Sequence, residues 1–510
     1  MIIRRFGVLL AIASIMGMAA CGGGGGGSNN PPSAITNVSV SCSPGTVGSD
    51  GNSQCTATVT GTGNFNSGVT WSTSAGSISS SGTLMAPTVN GSSSAGSPGS
   101  SNVEQLTVDA GPEPQTFLST NVAYTTVTVC APGSTTQCQT IDHIMVDTGS
   151  SGLRLLSGVL NGTTATVTAT SVQDSSQSGT ATVTVTLLPV TAFNECLVFL
   201  DGFIWGPVAS ADLTFPNANA EAASNIPVQL ILPASGSPAV PGSCSSQNPS
   251  GGNGNEGGMS DSDAVATFGA NGILGVGLFA QDCGPGCTSL NSSPPAVYYN
   301  CSASGCTPAF ASLTQQLPNP VMAFATDNNG VLIQLPSVPN GGSPTVSGSL
   351  IFGIGTQSNN ALGSATVYPV PDSGSNAGDM LTTFNGTQYQ AFADSGSNGL
   401  FFLDSSVSGV PATCTGNLTS WYCPTTSPDN LMASNQGQST SGPVGTPVPV
   451  NFSIENAQTL FSGNNTAFST LGGPLSNTFD WGLSFFYGRN MFTAIENSNA
   501  PGGTPPYFAF

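Results

Sequence analysis

Two copies of one short pattern carry the residues with the clearest chemical potential. An apolar run reaches Asp147 in IDHIMVDTGSSGLRLL, and a second reaches Asp394 in YQAFADSGSNGLFFLD. In each copy the Asp is followed by a small hydroxyl residue, a glycine and a serine. Two carboxyls in contact cannot both ionise, so they hold one shared proton, and one can act as base while the other acts as acid. The repeat therefore predicts a pair that activates water for attack on a carbonyl, with no metal or cofactor.

The residues after each Asp suit a tight turn that is braced against its counterpart. A glycine at such a turn permits close approach of the backbone to another segment. A Thr or Ser hydroxyl can form a hydrogen bond across to the opposite loop. We assign six residues to the support of these loops: Thr148, Gly149, Ser150, Ser395, Gly396 and Ser397.

The two motifs resemble those of the pepsin-like aspartic peptidases, in which each of two lobes contributes one Asp-Thr-Gly or Asp-Ser-Gly loop to a shared cleft. NGILGVGLF, with residues 273–275, resembles the element beneath the first loop of that family. SGSLIFGIG from Ser347 and FDWGLSFFYGRNMFTAIE resemble the opening and closing segments of the second lobe. The resemblance covers residues 118–510 and implies an all-β, bilobal acid-protease fold with Asp147 and Asp394 as catalytic residues.

ECLVFLDGFIWGP resembles the hairpin, or flap, that covers the substrate in this family. That resemblance implies substrate contacts from Phe199, Asp201, Gly202 and Trp205. Packing within the sheet explains Trp205 equally well. The sequence departs from the family at Phe199, where a Tyr is usual. It departs again at Asp480 and Trp481, which replace an apolar pair before Gly482.

Asp-Ser-Gly is also a common turn sequence, and the chain contains a third copy. The five residues DSGSN occur at Asp372 as well as at Asp394. Pro371 comes directly before this copy and cannot donate to a sheet, and no apolar strand follows it. We therefore predict that Asp372 is a loop residue.

The composition restricts the possible partners. Lys and Arg together number 4 against 24 acidic residues, which gives a formal net charge of -20. Such a chain is a poor partner for nucleic acid or anionic lipid surfaces. Few basic groups also mean little self-repulsion in acid, which suits acidic surroundings. The alternative is a secreted, Ser/Thr/Gly-rich surface protein that simply uses few charges.

The first residues indicate export. Residues 1–20 contain two Arg, an apolar run and then small residues, as a secretory signal peptide does. The residues before Cys21 resemble the bacterial lipoprotein box and imply that Cys21 is acylated. Residues 21–33 would then form a Gly-rich tether to the cell envelope, and Gly22 favours the outer membrane by resemblance to the sorting rule of that class. The alternative is a soluble protein that is cleaved nearby.

The remaining chain divides by composition. Residues 34–92 alternate apolar and polar positions between Gly, Ser and Asn turns, which predicts strands. They resemble the bacterial Ig-like modules and imply a small β-sandwich that acts as a spacer or adhesion module. Residues 93–117 are predicted to be a linker, followed by an N-terminal lobe over 118–335 and a C-terminal lobe over 336–510. Within the lobes, ASLTQQL is the best candidate for a short helix.

The chain has 13 cysteines, so twelve remain once Cys21 is set aside, and an exported chain favours disulfides. Pairing between neighbours in sequence is the simplest hypothesis: Cys42–Cys55, Cys130–Cys138, Cys196–Cys244, Cys283–Cys287, Cys301–Cys306 and Cys414–Cys423. A zinc site is the alternative for four of them, Cys283, Cys287, Cys301 and Cys306.

Two isolated basic residues need an interpretation. His143 is the only histidine and lies four residues before Asp147, where it is predicted to pack in a strand rather than act as a base. Arg154 follows the first motif, and either a structural ion pair or contact with an acidic ligand would explain it.

Together these patterns predict a lipid-anchored, monomeric bacterial aspartic endopeptidase that acts on peptide or protein substrates and needs no cofactor. Two alternatives stay open. One is a non-catalytic surface protein whose cleft binds a peptide or glycan, and the other is a structural surface protein.

Overall fold

A computed structural model describes residues 32–49, 51–89, 101–114, 118–160, 162–199, 202–232, 238–247, 268–302 and 305–510. The predicted signal peptide, Cys21 and nearly all of the tether lie outside these residues. The chain forms two compact units. The smaller combines the described residues up to Thr88 with Thr163–Val185, and the larger combines the described residues of Val89–Gly162 and Thr186–Phe510. Strands form nearly all of the regular structure, so the predicted all-β class is confirmed.

The smaller unit contains two four-stranded sheets, whose orders are β1-β3-β6-β5 and β2-β12-β11-β4. Val38 and Ile35 are buried here together with Ala169 of the second sheet. Its strands are β1 (Ala34–Ser43), β2 (Thr46–Gly48), β3 (Asn52–Thr62), β4 (Val69–Thr73), β5 (Ser77–Ile78), β6 (Thr83–Met85), β11 (Gly162–Ser171) and β12 (Ser178–Thr186).

The hairpin β11–β12 is separated in sequence from the rest of this unit but lies at the centre of its second sheet. Ala169 pairs with Trp71 and Thr168 with Ser72, so β4 has its partner in the hairpin. The run 34–92 therefore supplies only two strands of that sheet, β2 and β4, and they do not pair with each other. Residues 34–92 therefore do not contain all the strands of this unit, since β11 and β12 come from elsewhere in the chain.

We predict that a fragment of residues 32–92 does not fold alone, because β2 and β4 lose the strands with which they pair, β12 and β11. Fluorescence of Trp71, the only Trp in that fragment, measures this during thermal unfolding. The matched control is the same fragment fused to residues 162–186, which is expected to unfold cooperatively. Cooperative unfolding of the shorter fragment would contradict the prediction.

The larger unit is dominated by a 15-stranded sheet of order β18-β17-β13-β14-β15-β10-β16-β9-β8-β7-β20-β19-β29-β30-β21. These strands are β7 (Val103–Val108), β8 (Ala123–Cys130), β9 (Cys138–Asp147), β10 (Ser151–Leu156), β13 (Val190–Phe199), β14 (Gly202–Thr214), β15 (Ala222–Ile231), β16 (Gly272–Val276), β17 (Tyr298–Ser302), β18 (Gly305–Pro308), β19 (Gly330–Gln334), β20 (Val346–Phe352), β21 (Val367–Pro369), β29 (Asn490–Ala494) and β30 (Tyr507–Ala509).

A second sheet of seven strands, ordered β26-β25-β22-β23-β28-β24-β27, completes the larger unit. Its strands are β22 (Met380–Phe384), β23 (Thr387–Asp394), β24 (Leu400–Leu403), β25 (Asp429–Ser439), β26 (Gly442–Ile454), β27 (Gly472–Gly473) and β28 (Leu475–Gly482). One buried apolar cluster includes Val146 and Leu274 of the first sheet and Phe402 and Trp481 of the second. The two sheets therefore share a core.

The helices of the described chain are short. The α-helices are α1 (Gly242–Ser245), α2 (Ala457–Leu460) and α3 (Leu483–Phe486). The 3₁₀ helices are Ser157–Val159, Gly284–Cys287, Pro320–Ala323 and Gly416–Leu418. In the part of the chain that the structure describes, no helix has the length and apolar character needed to cross a membrane.

Two local features differ from the sequence prediction. The predicted linker 93–117 contains β7, which pairs with β20 and β8 and so belongs to the large sheet. The predicted helix in ASLTQQL is wrong, because residues 311–317 form turns. There the side chain of Gln315 accepts a hydrogen bond from the backbone of Ser312, and Pro318 follows directly. The Ser312–Gln315 contact caps a single turn, and Pro318 disfavours the helical conformation of the residue before it, so the turn does not continue as a helix.

All six predicted disulfides are present, and they are Cys42–Cys55, Cys130–Cys138, Cys196–Cys244, Cys283–Cys287, Cys301–Cys306 and Cys414–Cys423. The zinc alternative is therefore wrong, because its four cysteines are paired with one another as disulfides.

Candidate active site

Asp147 is the last residue of β9, where the buried run Ile144–Val146 delivers it to the large sheet. β16 pairs parallel with β9, which sets Gly275 beside Asp147. The same strand pairs antiparallel with β10, which sets Val276 beside Ser151. β16 thus pairs with the strands on both sides of the first loop. β9 lies between two strands and is buried where it reaches Asp147, so it needs a continuous apolar run there, which Ile144–Val146 supplies.

Asp394 occupies the equivalent position in the second sheet. It ends β23, and the parallel strand β28 sets Gly482 beside it. β28 also pairs antiparallel with β24, with Trp481 beside Leu400. The two loops are therefore built by the same three-strand arrangement, one in each sheet.

Thr148 and Ser395 join the two loops by reciprocal hydrogen bonds. The Oγ1 atom of Thr148 accepts from the backbone N of Ser395 at 2.9 Å and donates to the carbonyl of Ala393 at 3.2 Å. The Oγ atom of Ser395 accepts from the backbone N of Thr148 at 3.1 Å and donates to the carbonyl of Val146 at 2.7 Å. Both hydroxyls are buried, so water does not compete with these bonds.

The backbone N–H groups of the two motif glycines donate hydrogen bonds to the two carboxyls. The backbone N of Gly149 donates to Oδ1 of Asp147, and that of Gly396 donates to Oδ1 of Asp394, both at 2.8 Å. A Cβ atom on Gly396 would lie 2.6 Å from Oδ1 of Asp147, and one on Gly149 would lie 2.8 Å from Cγ of Asp394. Only glycine leaves room for the opposite carboxyl at either position.

The hydroxyls of the two motif serines donate hydrogen bonds to the Oδ2 atoms of the two carboxyls. Ser150 donates through Oγ to Oδ2 of Asp147. Ser397 donates through Oγ to Oδ2 of Asp394 at 2.7 Å. Each carboxyl thus accepts a backbone hydrogen bond at Oδ1 and a hydroxyl hydrogen bond at Oδ2, and these two bonds fix its orientation.

The carboxyls of Asp147 and Asp394 face each other, because a Cβ atom on Gly396 would lie 2.6 Å from Oδ1 of Asp147 and 3.2 Å from Oδ1 of Asp394. Burial and the charge of Asp394 raise the pKa of Asp147 to about 8. Asp147 is 4% exposed, whereas Asp394 is partly exposed and Gly149 is exposed. The pair therefore holds a shared proton over a wide pH range and can be reached from solvent.

The predicted flap forms a hairpin between β13 and β14, in which Phe199 pairs with Gly202. Asp201 lies outside the described residues. Phe199 is partly buried and packs against a cluster that includes Tyr124 and Ile204.

Trp205 is packed into the sheet. It is 3% exposed, its Nε1 donates to the carbonyl of Pro238 at 2.8 Å, and its ring meets Tyr299 edge-on with centroids 5.2 Å apart. The Cys196–Cys244 disulfide lies in the same cluster. The packing interpretation of Trp205 therefore fits the structure, and the substrate-contact interpretation does not.

Asp372 lies apart from this arrangement. It is exposed in a loop, where its Oδ1 accepts a hydrogen bond from the adjacent Ser373. The prediction of a loop residue is confirmed. This copy of DSGSN does not follow an apolar strand, and no opposite loop forms hydrogen bonds with it in the described residues.

Arg154 forms a buried ion pair, so the structural alternative for it is confirmed. Its Nη2 lies 2.7 Å from Oε1 of Glu195 and 3.5 Å from Oδ2 of Asp282, and all three side chains are at most 2% exposed. Tyr298 hydrogen-bonds Asp282. Burial, with the nearby Glu195 charge, raises the pKa of Asp282 well above its ordinary value, so one guanidinium faces one carboxylate and one neutral acid. The pair ties β10, which follows the first motif, to β13 of the hairpin.

His143 packs in a strand as predicted. Its ring meets Tyr124 edge-on with centroids 5.0 Å apart, and its nitrogens lie 3.5 Å from Asp109 and 3.3 Å from Asp142. Its partners are therefore these two acids, and neither belongs to the motif loops.

A second carboxyl pair, which no sequence motif indicated, joins Glu221 to Asp327. Asp327 accepts hydrogen bonds from Thr356 and Gln357. Glu221 is 1% exposed, and neither of its oxygens accepts a hydrogen bond from a described residue. Across the described residues, no three His, Cys, Asp or Glu side chains are grouped to hold a metal ion.

Replacing Glu221 by glutamine is expected to stabilise the protein progressively as pH rises. Burial, followed by the charge of Asp327, raises the pKa of Glu221 from 4.5 to about 8. The folded state thus holds a proton that the unfolded state loses, so native stability falls across that window while glutamine has no proton to lose. Thermal unfolding should give equal Tm values below pH 4.5 and a Tm several degrees higher for the variant at pH 8. Glu113→Gln, at an exposed site, is the control; a pH-independent difference for Glu221→Gln would contradict the prediction.

Residues 98–510 match the family model described as "Protein of unknown function (DUF3443)". No curated protein matches the chain. Among solved structures, the chain is similar to the aspartic proteinase from Irpex lacteus, with a TM-score of 0.44 and 14% sequence identity over 80% of this chain and 96% of that one.

Proposed function

This chain belongs to the family described as "Protein of unknown function (DUF3443)", and from the geometry of its paired carboxyls we propose that it is an aspartic endopeptidase of bilobal, pepsin-like fold. The observation that carries the proposal is that Asp147 and Asp394 face each other, held by matching hydrogen bonds from two equivalent loops. A carboxyl pair with only a structural role would need neither the matching hydrogen bonds to both carboxyls nor the exposure of Asp394 to solvent.

The proposed reaction begins with Asp147 protonated and Asp394 charged, because the raised pKa of Asp147 makes it the proton carrier. Asp394 takes a proton from a water whose oxygen bonds to the peptide carbonyl carbon, while Asp147 gives its proton to the carbonyl oxygen. The product of this step is a neutral diol. Asp147 then takes a proton from one diol hydroxyl, Asp394 protonates the amide nitrogen, and the C–N bond breaks. The pair returns to its starting state.

The hairpin of β13 and β14 is the proposed cover for an extended peptide, which would pair its backbone as an added strand does. Of the four residues predicted to contact substrate, Phe199 and Gly202 lie at the described end of the hairpin. Trp205 is assigned instead to the support of the hairpin base, through its contacts with Tyr299 and Pro238.

We also propose, on the strength of its first residues alone, that the chain is exported, acylated at Cys21 and anchored in the outer membrane. We take it to be a monomer there. In this arrangement the smaller unit, of Ig-like type, acts as a spacer. Membrane attachment is through the lipid only, and nucleic acid is excluded by the net charge of -20.

The second candidate is a binder of peptide or glycan without turnover. It is favoured by the residue at the flap position, since Phe199 has no hydroxyl with which to bond a substrate. A third buried carboxyl, Asp480, close to the pair also departs from a simple dyad.

Incubation with an unfolded protein at about pH 3 to 5, where a carboxyl pair retains its single proton, separates these candidates. The endopeptidase proposal expects cleavage that a hydroxyl-bearing peptide mimic of the diol inhibits. Stoichiometric binding of the mimic without any cleavage would favour the binder. Absence of both cleavage and binding would contradict the proposal that the pair acts on peptides.

A further inference from the structure

Each motif loop ends at a backbone carbonyl that accepts a hydrogen bond from a fully buried side chain. In the first loop this is the carbonyl of Ser151, to which Nη1 of Arg154 donates at 2.8 Å. In the second loop it is the carbonyl of Asn398, to which Nδ2 of Asn121 donates at 3.0 Å. Both carbonyls belong to the fourth residue after the motif Asp. The two loops therefore share one more matching hydrogen bond.

The donors of these two bonds come from different parts of the chain. Arg154 lies on β10, directly after the loop that it supports. Asn121 lies 277 residues before Asn398 and two residues before β8 begins at Ala123. β8 pairs antiparallel with β9, the strand that delivers Asp147. Asn121 thus joins the sheet of the first motif to the loop of the second.

The other hydrogen bonds of Asn121 hold its amide in one orientation. Its Nδ2 also donates to the carbonyl of Phe468 at 2.8 Å and to Oγ of Ser484 at 3.0 Å. Its Oδ1 accepts from the backbone N of Phe468 at 2.6 Å and from the hydroxyl of Tyr487 at 3.0 Å. Its φ is 49°, in the left-handed region that Asn adopts more readily than most residues. Asn meets both requirements, a donor and acceptor in one short side chain and this backbone conformation.

The same bonds connect Asn121 to the helix that borders the second loop. α3 begins at Leu483, whose backbone N donates to the carbonyl of Ser397 at 2.7 Å. The next residue of α3, Ser484, is one of the acceptors of the Asn121 amide. The end of the second loop is therefore held at two successive carbonyls, that of Ser397 by α3 and that of Asn398 by Asn121.

We propose that Asn121 is a positioning residue of the candidate active site, whose amide ties the end of the second loop to the large sheet and so keeps Asp394 facing Asp147. The donors that orient the Asp394 carboxyl, the backbone N of Gly396 and the hydroxyl of Ser397, lie in the segment that this bond anchors. A displacement of the loop end would move both donors and the carboxyl with them. This inference rests on the proposed function, since it concerns the placement of the pair that would activate water.

Asn121→Gly removes the amide and fits the left-handed backbone. Burial, followed by the charge of Asp394, raises the pKa of Asp147 to about 8. When the second loop moves away that charge acts less strongly, so the Asp147 midpoint should fall by about one pH unit. We expect kcat/KM to fall about 10-fold to 100-fold, mainly through kcat. Asn385→Gly is the matched control: Asn385 also has a φ of 49° and donates to the carbonyl of Ser408, but it is exposed, and both quantities should stay unchanged.

The deciding measurement is a carboxyl ¹³C NMR titration of the full chain with labelled Asp, in which the Asp147 signal is assigned from its loss in Asp147→Asn. A folded Asn121→Gly protein with a lower Tm and an unchanged Asp147 midpoint would overturn the proposal, because the amide would then support only the fold. If that variant does not fold, hydrogen exchange of the Asn121 side-chain amide in the native protein decides. We expect exchange to take hours, and exchange within seconds would overturn the proposal.

The titration needs no turnover, so it separates this inference from the proposed function. A protein that cleaves peptides but whose Asp147 midpoint does not respond to Asn121→Gly retains the proposed function and loses this inference. A protein that cleaves nothing but shows the expected shift retains the positioning role of Asn121 and loses the endopeptidase assignment.

Discussion

Replacing Asp147 by asparagine is expected to lower kcat/KM for peptide cleavage by about 100-fold to 10,000-fold or more, because an amide cannot give and regain the shared proton. The fold should survive the change. Burial raises the pKa of Asp147 from 3.8 to about 8, so the native protein loses stability as pH rises through that window. Asparagine resembles the protonated acid and has no such loss, so the variant should be the more stable protein at neutral pH.

The matched control for this variant is Asp372→Asn, which changes an Asp in the same DSGSN sequence as the one at Asp394 but in an exposed loop. It should leave both kcat/KM and Tm unchanged. Kinetics on an unfolded protein substrate, with thermal unfolding of each variant, measure both effects. Full activity in Asp147→Asn, or an equal loss in Asp372→Asn, would contradict the assignment of the pair.

Replacing Arg154 by methionine is expected to lower the free energy of unfolding by about 3 to 5 kcal/mol, the usual cost when one partner of a buried ion pair is removed. Methionine fills most of the volume but leaves Glu195 without its cation, and Glu195 is fully buried. Because Glu195 lies on β13, the hairpin of β13 and β14 should loosen at its base first.

Urea unfolding of the single and double variants tests this prediction. Arg154→Met/Glu195→Gln removes the unpaired charge and should recover part of the lost free energy. Arg489→Met is the control, because Arg489 contacts a carbonyl and the ring of Phe485 rather than a carboxylate, and it should cost about 1 kcal/mol. Equal losses at Arg154 and Arg489 would show that the ion pair is not the source of the effect.

Features that depend on neighbours in sequence could be predicted. Both Asp motifs were recognised because each is embedded in an apolar run, and that run is what makes the delivering strand central in its sheet. Asp372 was separated from them on the same ground. Five of the six disulfides follow from local pairing, since strand pairs and short loops bring those cysteines together, as in the adjacent strands that hold Cys42 and Cys55. The sixth, Cys196–Cys244, joins residues 48 apart and is predicted only as the pair that remains.

Features that depend on distant pairing could not be predicted in this way. Nothing in the alternation of β11 indicates that its partner is β4, because a strand pattern specifies a buried face and not the strand beside it. Glu221 and Asp327 are likewise ordinary acids in sequence until the fold joins them. The sequence does not identify the partner of Arg154 for the same reason, although the cost of a buried cation indicates that Arg154 needs one.

The most direct test of the central claim, that Asp147 and Asp394 divide one proton, is neutron diffraction from a deuterated crystal at about pH 5. We expect a single deuterium between the two carboxyls, on the side of Asp147, with the carboxyls in hydrogen-bond contact. Two separate deuteriums, none at all, or carboxyls too far apart to hold one water between them would contradict it.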